Sequence, residues 1–249
     1  MHRSLPSERG AVRAALDGDV RAGGVANSAA QDAFCSGTKC TVSIIYDQSP
    51  KGNDLKSAPA GGAKNTPDNE ASATALKLTV GGHPVYAVVV NPGIGYRIDA
   101  TSGIATGDQP EEEYMVTSGT HFNNGCCFDY GNAETNNHDD GAGTMEAVYF
   151  GNSAHWGKGA GTGPWVMADL ENGLYAGASF AANPDDTPLT SAYVTAMVKG
   201  RSGGFALKGA DAQSRARVRS MTARRASSLR VALACYKPLA ADAMSFAQS

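Results

Sequence analysis

Between residues 23 and 214 the chain is a succession of short apolar runs cut by Gly, Asn, Asp and Pro, and this punctuation limits the fold more than any other feature. Runs of this length are too short for ordinary helices and suit strands. Thr41–Tyr46, Leu76–Val80, Val85–Val90, Tyr114–Thr117, Met145–Phe150, Trp165–Leu170, Leu174–Phe180, Tyr193–Val198 and Phe205–Lys208 read as strands by their β-branched and aromatic content. Gly81–Gly82, ahead of His83–Pro84, marks a hairpin turn between the second and third. No long helical period separates the runs. The pattern therefore predicts an all-β protein of two packed antiparallel sheets, not a parallel sheet alternating with helices. Lys51 to Ala73, rich in Gly, Pro, Ala, Asn and Lys, reads as a long surface loop.

A length of 249 residues with 42% hydrophobic content supplies enough core for one large all-β domain. No stretch approaches the roughly 18 apolar residues of a membrane-crossing helix. The formal net charge of -3 hides an asymmetry, because residues 23 to 214 carry ten bases against twenty acids while residues 215 to 249 carry seven bases and one acid. An acidic body repels phosphate backbones, which excludes nucleic acid as its partner. Residues 1–22 lack the apolar run of a secretory signal. From Arg215 onward Gly vanishes and Arg, Ala and Ser dominate, so the chain divides into a divergent segment 1–22, a β-rich body 23–214 and a basic tail 215–249. The tail reads as a solvated segment in preference to a membrane-binding helix.

Cys35 and Cys40 bracket a Ser-Gly-Thr-Lys segment short enough to bring their Cα atoms within disulfide reach. Cys126 and Cys127 are adjacent. Such a pair either closes a strained eight-membered ring in an oxidising compartment, stays as two thiols, or offers two metal ligands. Metal is the weaker option, since neighbouring cysteines fit a tetrahedron poorly and no second pair stands at ligand spacing. Cys235 is left over in the tail.

Two segments carry candidate chemistry. If residues 165 to 171 form one strand, Trp165, Met167, Asp169 and Glu171 share a face and Val166, Ala168 and Leu170 share the other. Neighbouring carboxylates on one face repel, which favours a ligand site over two idle solvated acids. The second segment, from Cys126 to Glu146, is a long loop dense in amides, acids and aromatic rings, the groups that bind sugar hydroxyls and the flat faces of sugar rings. Its His138, Asp139 and Asp140 offer oxygen-rich donors but lack the spacing of a calcium loop. His155–Trp156 adds a ring for stacking.

The stretch CCFDYGNAETNNHDDGAGTMEAVYFGN (126 to 152) followed by WGKGAGTGPWVMADLENGLYAG (156 to 177) resembles the catalytic domain of the α-L-arabinofuranosidase B family, glycoside hydrolase family 54. The likeness reaches back through AQDAFCSGTKCTVSIIYDQS (30 to 49) and forward through VTAMVKG (194 to 200), covering about residues 23 to 214. It implies a concanavalin-like β-sandwich, incomplete at both ends. It also implies a vicinal disulfide Cys126–Cys127 against the sugar, a structural disulfide Cys35–Cys40, and Glu171 as nucleophile. Asp169, Asn172 and Trp156 would contact the substrate.

The implied reaction is retaining release of terminal α-L-arabinofuranosyl groups from arabinan and arabinoxylan, by a secreted monomer that needs neither cofactor nor metal. The partners implied are arabinose-containing plant polysaccharides, with no nucleic acid and no membrane. Departures from the family are part of the same reading. Its acid/base Asp lies in a Gly-Gly-Asp segment downstream of the nucleophile, and this chain has no such segment. Its disulfide near the mature N-terminus and its C-terminal arabinose-binding β-trefoil are not matched either, and Gly173 stands where relatives commonly have Asn. Loss of a general acid/base slows turnover by about 10²–10⁴-fold. The expectation is a weak or inactive enzyme, with a noncatalytic arabinose- or hemicellulose-binding protein as the alternative.

Overall fold

The computed structural model describes residues 2–6, 12–15, 20–21, 25–60, 65–105, 109–125, 127–132, 145–170, 173–177, 179–213, 219–223 and 242–243. They fall into two compact units, one comprising Met1–Ser43 with Glu70–Val89 and the other Ile44–Asn69 with Val90–Ser249.

The smaller unit is built on a hairpin, Leu76–Val80 against His83–Ala87, with Val80 opposite His83 across Gly81–Gly82. Both glycines have positive φ, 57° and 83°, as a tight hairpin turn demands. Beside it stands α1, Ser28–Phe34, capped by the Asn27 side chain, which accepts the Ala30 N–H at 3.3 Å. The sequence pattern missed α1, because two turns are too short to display a helical period. Cys35 and Cys40 are disulfide-bonded with Cα atoms 5.7 Å apart. The Asp32 carboxylate accepts from both Lys77 and Tyr86, tying the helix to the hairpin.

The larger unit is a β-sandwich. One sheet is formed by β1 (Glu111–Ser118), β6 (Tyr193–Arg201), β7 (Gly204–Asp211) and β8 (Arg219–Ala223), in that order. The other contains β5 (Gly173–Tyr175), β4 (Trp165–Leu170), β3 (Glu146–Gly151) and β2 (Phe128–Asn132), in that order, with Asp242–Ala243 at its edge beside β2. The labelled strands pair antiparallel throughout.

Period-2 alternation makes each strand two-faced. Met115, Val194, Ala196, Val198, Phe205 and Leu207 point inward from the first sheet and are buried. Val148, Phe150, Val166, Ala168 and Leu170 meet them from the second. Every residue of β3 and β4 is buried, so these two central strands are covered on both faces.

Several boundaries differ from the sequence pattern. Thr41–Tyr46 contracts to the pair Ile44–Ile45, Val85–Val90 shifts to His83–Ala87, and Leu174–Phe180 shortens to Gly173–Tyr175. The loop Lys51 to Ala73 contains a short strand, Leu55–Ser57, paired with Ile44–Ile45 and Tyr96–Arg97. Phe128–Asn132, read as loop, is a full strand of the central sheet. Arg219–Ala223, from the stretch with tail composition, extends the first sheet, with Met221 in register with Leu207.

Candidate active site

The second face of the β2–β5 sheet carries the chemistry. Register places Asp129, Tyr149 and Met167 side by side across β2, β3 and β4, and Ala147, Asp169 and Leu174 side by side across β3, β4 and β5. Residues two apart on a strand share a face, so these two rows form one continuous surface. On it Cys127, Tyr149, Trp165, Met167, Leu174 and Ala176 pack as a buried apolar cluster with Trp156 against its edge.

Each part is held by specific bonds. The Tyr149 hydroxyl accepts the Ser153 N–H at 3.1 Å and donates to the Gly125 carbonyl at 3.3 Å, which fixes the chain on either side of β3. Burial pushes this phenol well above its ordinary pKa, leaving it a neutral donor. The Trp165 indole N–H donates to the Ala160 carbonyl at 2.7 Å. His155 and Trp156 meet edge to face, centroids 4.7 Å apart. Asn183 Nδ2 donates to the Ala176 carbonyl at 2.6 Å and secures the chain beyond β5.

Two carboxyl groups lie in this apolar setting. Asp129 and Asp169 are 5% and 4% exposed, and their side chains are hydrogen-bonded to each other. Burial raises the Asp129 pKa, and the bond from Asp169 opposes part of that rise. One acceptor atom each from Cys127, Asp129 and Asp169 lies within 4.8 Å of the others. A metal site does not follow from that closeness. Cys127 is disulfide-bonded, and a disulfide sulfur is not the thiolate that binds metal.

Of the residues the sequence singled out, Cys127, Asp169 and Trp156 therefore come together at one cluster. Cys35–Cys40 is in the other unit. Cys126, Glu171 and Asn172 lie outside the described residues, as do His138, Asp139 and Asp140. Leu170 and Gly173, the described residues on either side of Glu171 and Asn172 in the sequence, pair directly with each other where β4 meets β5. Asp129 was missed because its segment was read as loop, and Tyr149, inside the expected strand Met145–Phe150, was not singled out. The alternation Cys127-Phe-Asp-Tyr, with Cys127 and Asp129 on one face, was the signal available.

Residues 8–241 match the family described as Alpha-L-arabinofuranosidase B, catalytic. The chain belongs to that family. The probable alpha-L-arabinofuranosidase B of Aspergillus terreus is 55% identical over 199 residues, covering 78% of this chain and 39% of the relative. An arabinofuranosidase/β-xylosidase of Trichoderma koningii is 54% identical over 195 residues, covering 77% and 39%. The chain thus spans about two fifths of the length of these curated relatives.

Among solved structures, a family 54 arabinofuranosidase soaked with a cyclic sulfate inhibitor superposes with a TM-score of 0.78 at 45% identity, covering 88% of this chain and 46% of that one. An arabinofuranosidase complexed with arabinofuranosyl-α-1,2-xylobiose gives 0.76 at 42% identity, covering 89% and 46%. The arabinofuranosidase B match extends past 23–214 on both sides.

Proposed function

We propose that this chain acts on terminal α-L-arabinofuranosyl groups of arabinose-containing plant polysaccharides, with Glu171 as the nucleophile of a retaining hydrolysis. The observation that carries the reading is the convergence of Asp169, disulfide-bonded Cys127 and Trp156 at one sheet face, on which Asp169 stands two residues before Glu171 in the sequence. Buried carboxyl oxygens accept sugar hydroxyls, while sulfur and indole offer flat apolar surface to the ring. In this reading Cys126 is the partner of Cys127, and Asn172 contacts the sugar beside Asp169. The Cys35–Cys40 disulfide supports action outside the cell, where such bonds persist.

In the proposed reaction a Glu171 carboxylate oxygen attacks the anomeric carbon, and the bond to the leaving oxygen breaks with its electron pair on that oxygen. A natural aglycone takes up a proton as it departs. Water then attacks the glycosyl ester, gives up its proton and releases arabinose with the original anomeric configuration. Residues 1–249 as written contain no Gly-Gly-Asp segment to supply the acid/base.

That combination has a distinctive kinetic consequence. p-Nitrophenolate needs little protonation to leave, so an arabinofuranoside of p-nitrophenol glycosylates Glu171, and slow hydrolysis of the ester then limits turnover. A burst of one p-nitrophenol per chain followed by a slow steady state is expected. No release at any enzyme concentration, combined with calorimetric binding of arabino-oligosaccharides, favours the noncatalytic sugar-binding protein instead.

A further inference from the structure

Glu111, Glu113 and Glu146 lie between the two sheets, on the face of β3 opposite Ala147 and Tyr149. Glu111 and Glu113 continue the inward register of Met115 on β1, and Glu146 continues that of Val148 on β3. Glycine makes room for two of them: Glu113 Oε2 lies where a Cβ of residue 131 would stand, and the Glu146 carboxyl where a Cβ of residue 200 would stand. Asn132 joins the group, its backbone N–H donating to Glu113 Oε1 at 3.2 Å and its Nδ2 to Glu111 Oε2 at 2.6 Å. Glu111 and Glu113 also line a cavity of about 350 Å³ with Gly103, Ile104 and Ala105, which gives an ion a way in.

Glu113 is what sets this group apart from an ordinary acidic cluster. It is 2% exposed, and its Oε2 is buried with no hydrogen-bond partner among the described residues. The neighbouring charges that act on it, from Glu111, Glu146 and Asp129, are all acidic. A buried carboxyl oxygen in such a place is costly unless something positive or a donor meets it, and an orphaned oxygen of this kind points to a bound ion or water. The main-chain carbonyl oxygen of Glu146 approaches the same Cβ place at residue 131 as Glu113 Oε2. One ion with metal–oxygen bonds of about 2.3–2.6 Å therefore reaches both oxygens.

We propose that Glu113, with the Glu146 carbonyl and the carboxylates of Glu111 and Glu146, forms a calcium site that fastens β1 to β3 across the sandwich. Glu113 Oε2 and the carbonyl are its fixed ligands. The three carboxyls are not all within 4.8 Å of one another, so Glu111 and Glu146 close on the ion by side-chain rotation, with water completing the shell. An irregular all-oxygen set suits Ca²⁺, which tolerates flexible geometry, over Mg²⁺, which demands a near-ideal octahedron. The ion takes no part in the proposed hydrolysis, and the site is independent of the sugar reading.

Calorimetric titration of the EDTA-treated chain with CaCl₂ is expected to show one ion per chain, with a dissociation constant of about 10⁻⁴–10⁻³ M as in extracellular modules. The thermal unfolding midpoint should rise over the same concentrations. Glu113→Gln keeps the size of the side chain and removes its charge, so it should weaken calcium binding about tenfold or more, and Glu111→Gln should weaken it by a smaller factor. MgCl₂ should leave the midpoint unmoved.

No calcium binding at about 10 mM, above the expected range, overturns the proposal. So does binding that Glu113→Gln leaves unchanged, which would put the ion on the acidic surface, and so does an equal response to MgCl₂. Should Glu113→Gln fail to fold, Glu111→Gln decides in its place, and calcium affinity equal to wild type in that variant overturns the site.

Discussion

Gly173 makes room for Trp156: a Cβ at residue 173 would stand 2.8 Å from Cδ1 and 2.9 Å from Cγ of the indole. The backbone there has φ +123°, a region side chains rarely adopt. The first described residue after Glu171 and Asn172 in the sequence is therefore coupled to the ring at the edge of the cluster. Gly173→Ala should destabilise the protein by about 1–3 kcal/mol through backbone strain and displacement of the ring. Urea unfolding together with a shift in tryptophan emission checks this, and an unchanged spectrum with unchanged stability contradicts it.

Tyr149 braces the site from below. Replacing it with Phe keeps the buried ring but strips the acceptor from the Ser153 N–H, and Ser153 is 2% exposed. An unpaired buried donor costs about 1–3 kcal/mol. Tyr149→Phe is expected to lower the denaturation midpoint by a corresponding amount, and Tyr149→Ala to lower it further by leaving a cavity. Equal stability of Tyr149→Phe and wild type would show that water replaces the hydroxyl.

Asp186 predicts a pH dependence. Its side chain is fully buried, neither carboxyl oxygen has a hydrogen-bond partner among the described residues, and burial raises its pKa from 3.8 to about 8. Between those values the folded state holds a proton that the unfolded state has released. This group's contribution is therefore fully present below pH 4, declines as pH rises and levels off above about 8. Asp186→Asn removes the titration. The stability of Asp186→Asn relative to wild type should grow steadily between pH 4 and pH 8, and a gap that is constant with pH would disprove the assignment.

Legibility in the sequence followed local information. Leu76–Val80 and Trp165–Leu170 were read to the residue because Gly81 follows the first, Gly163 and Gly173 bracket the second, and most of their side chains are β-branched, aromatic or large and apolar. Pro84 pushed the next strand too far along, yet it lies in the two-stranded hairpin, where a residue without an N–H is tolerated. Phe128–Asn132 looked like loop because Gly131 and Asn132 are turn formers, and only pairing with Glu146–Gly151 makes it a strand. The site was legible in the same uneven way. Asp169 announced itself on its own strand, but its partner Asp129 is forty residues away and two strands over, a relation no local pattern encodes.

The nucleophile is the claim on which the rest depends. Intact-mass analysis of the purified chain after reaction with p-nitrophenyl α-L-arabinofuranoside, followed by peptide mapping, tests it most directly. The account predicts a single arabinofuranosyl group on the peptide containing Glu171, accumulating as p-nitrophenol is released and absent from Glu171→Gln. An adduct on another residue, or release of p-nitrophenol that survives Glu171→Gln, would contradict it.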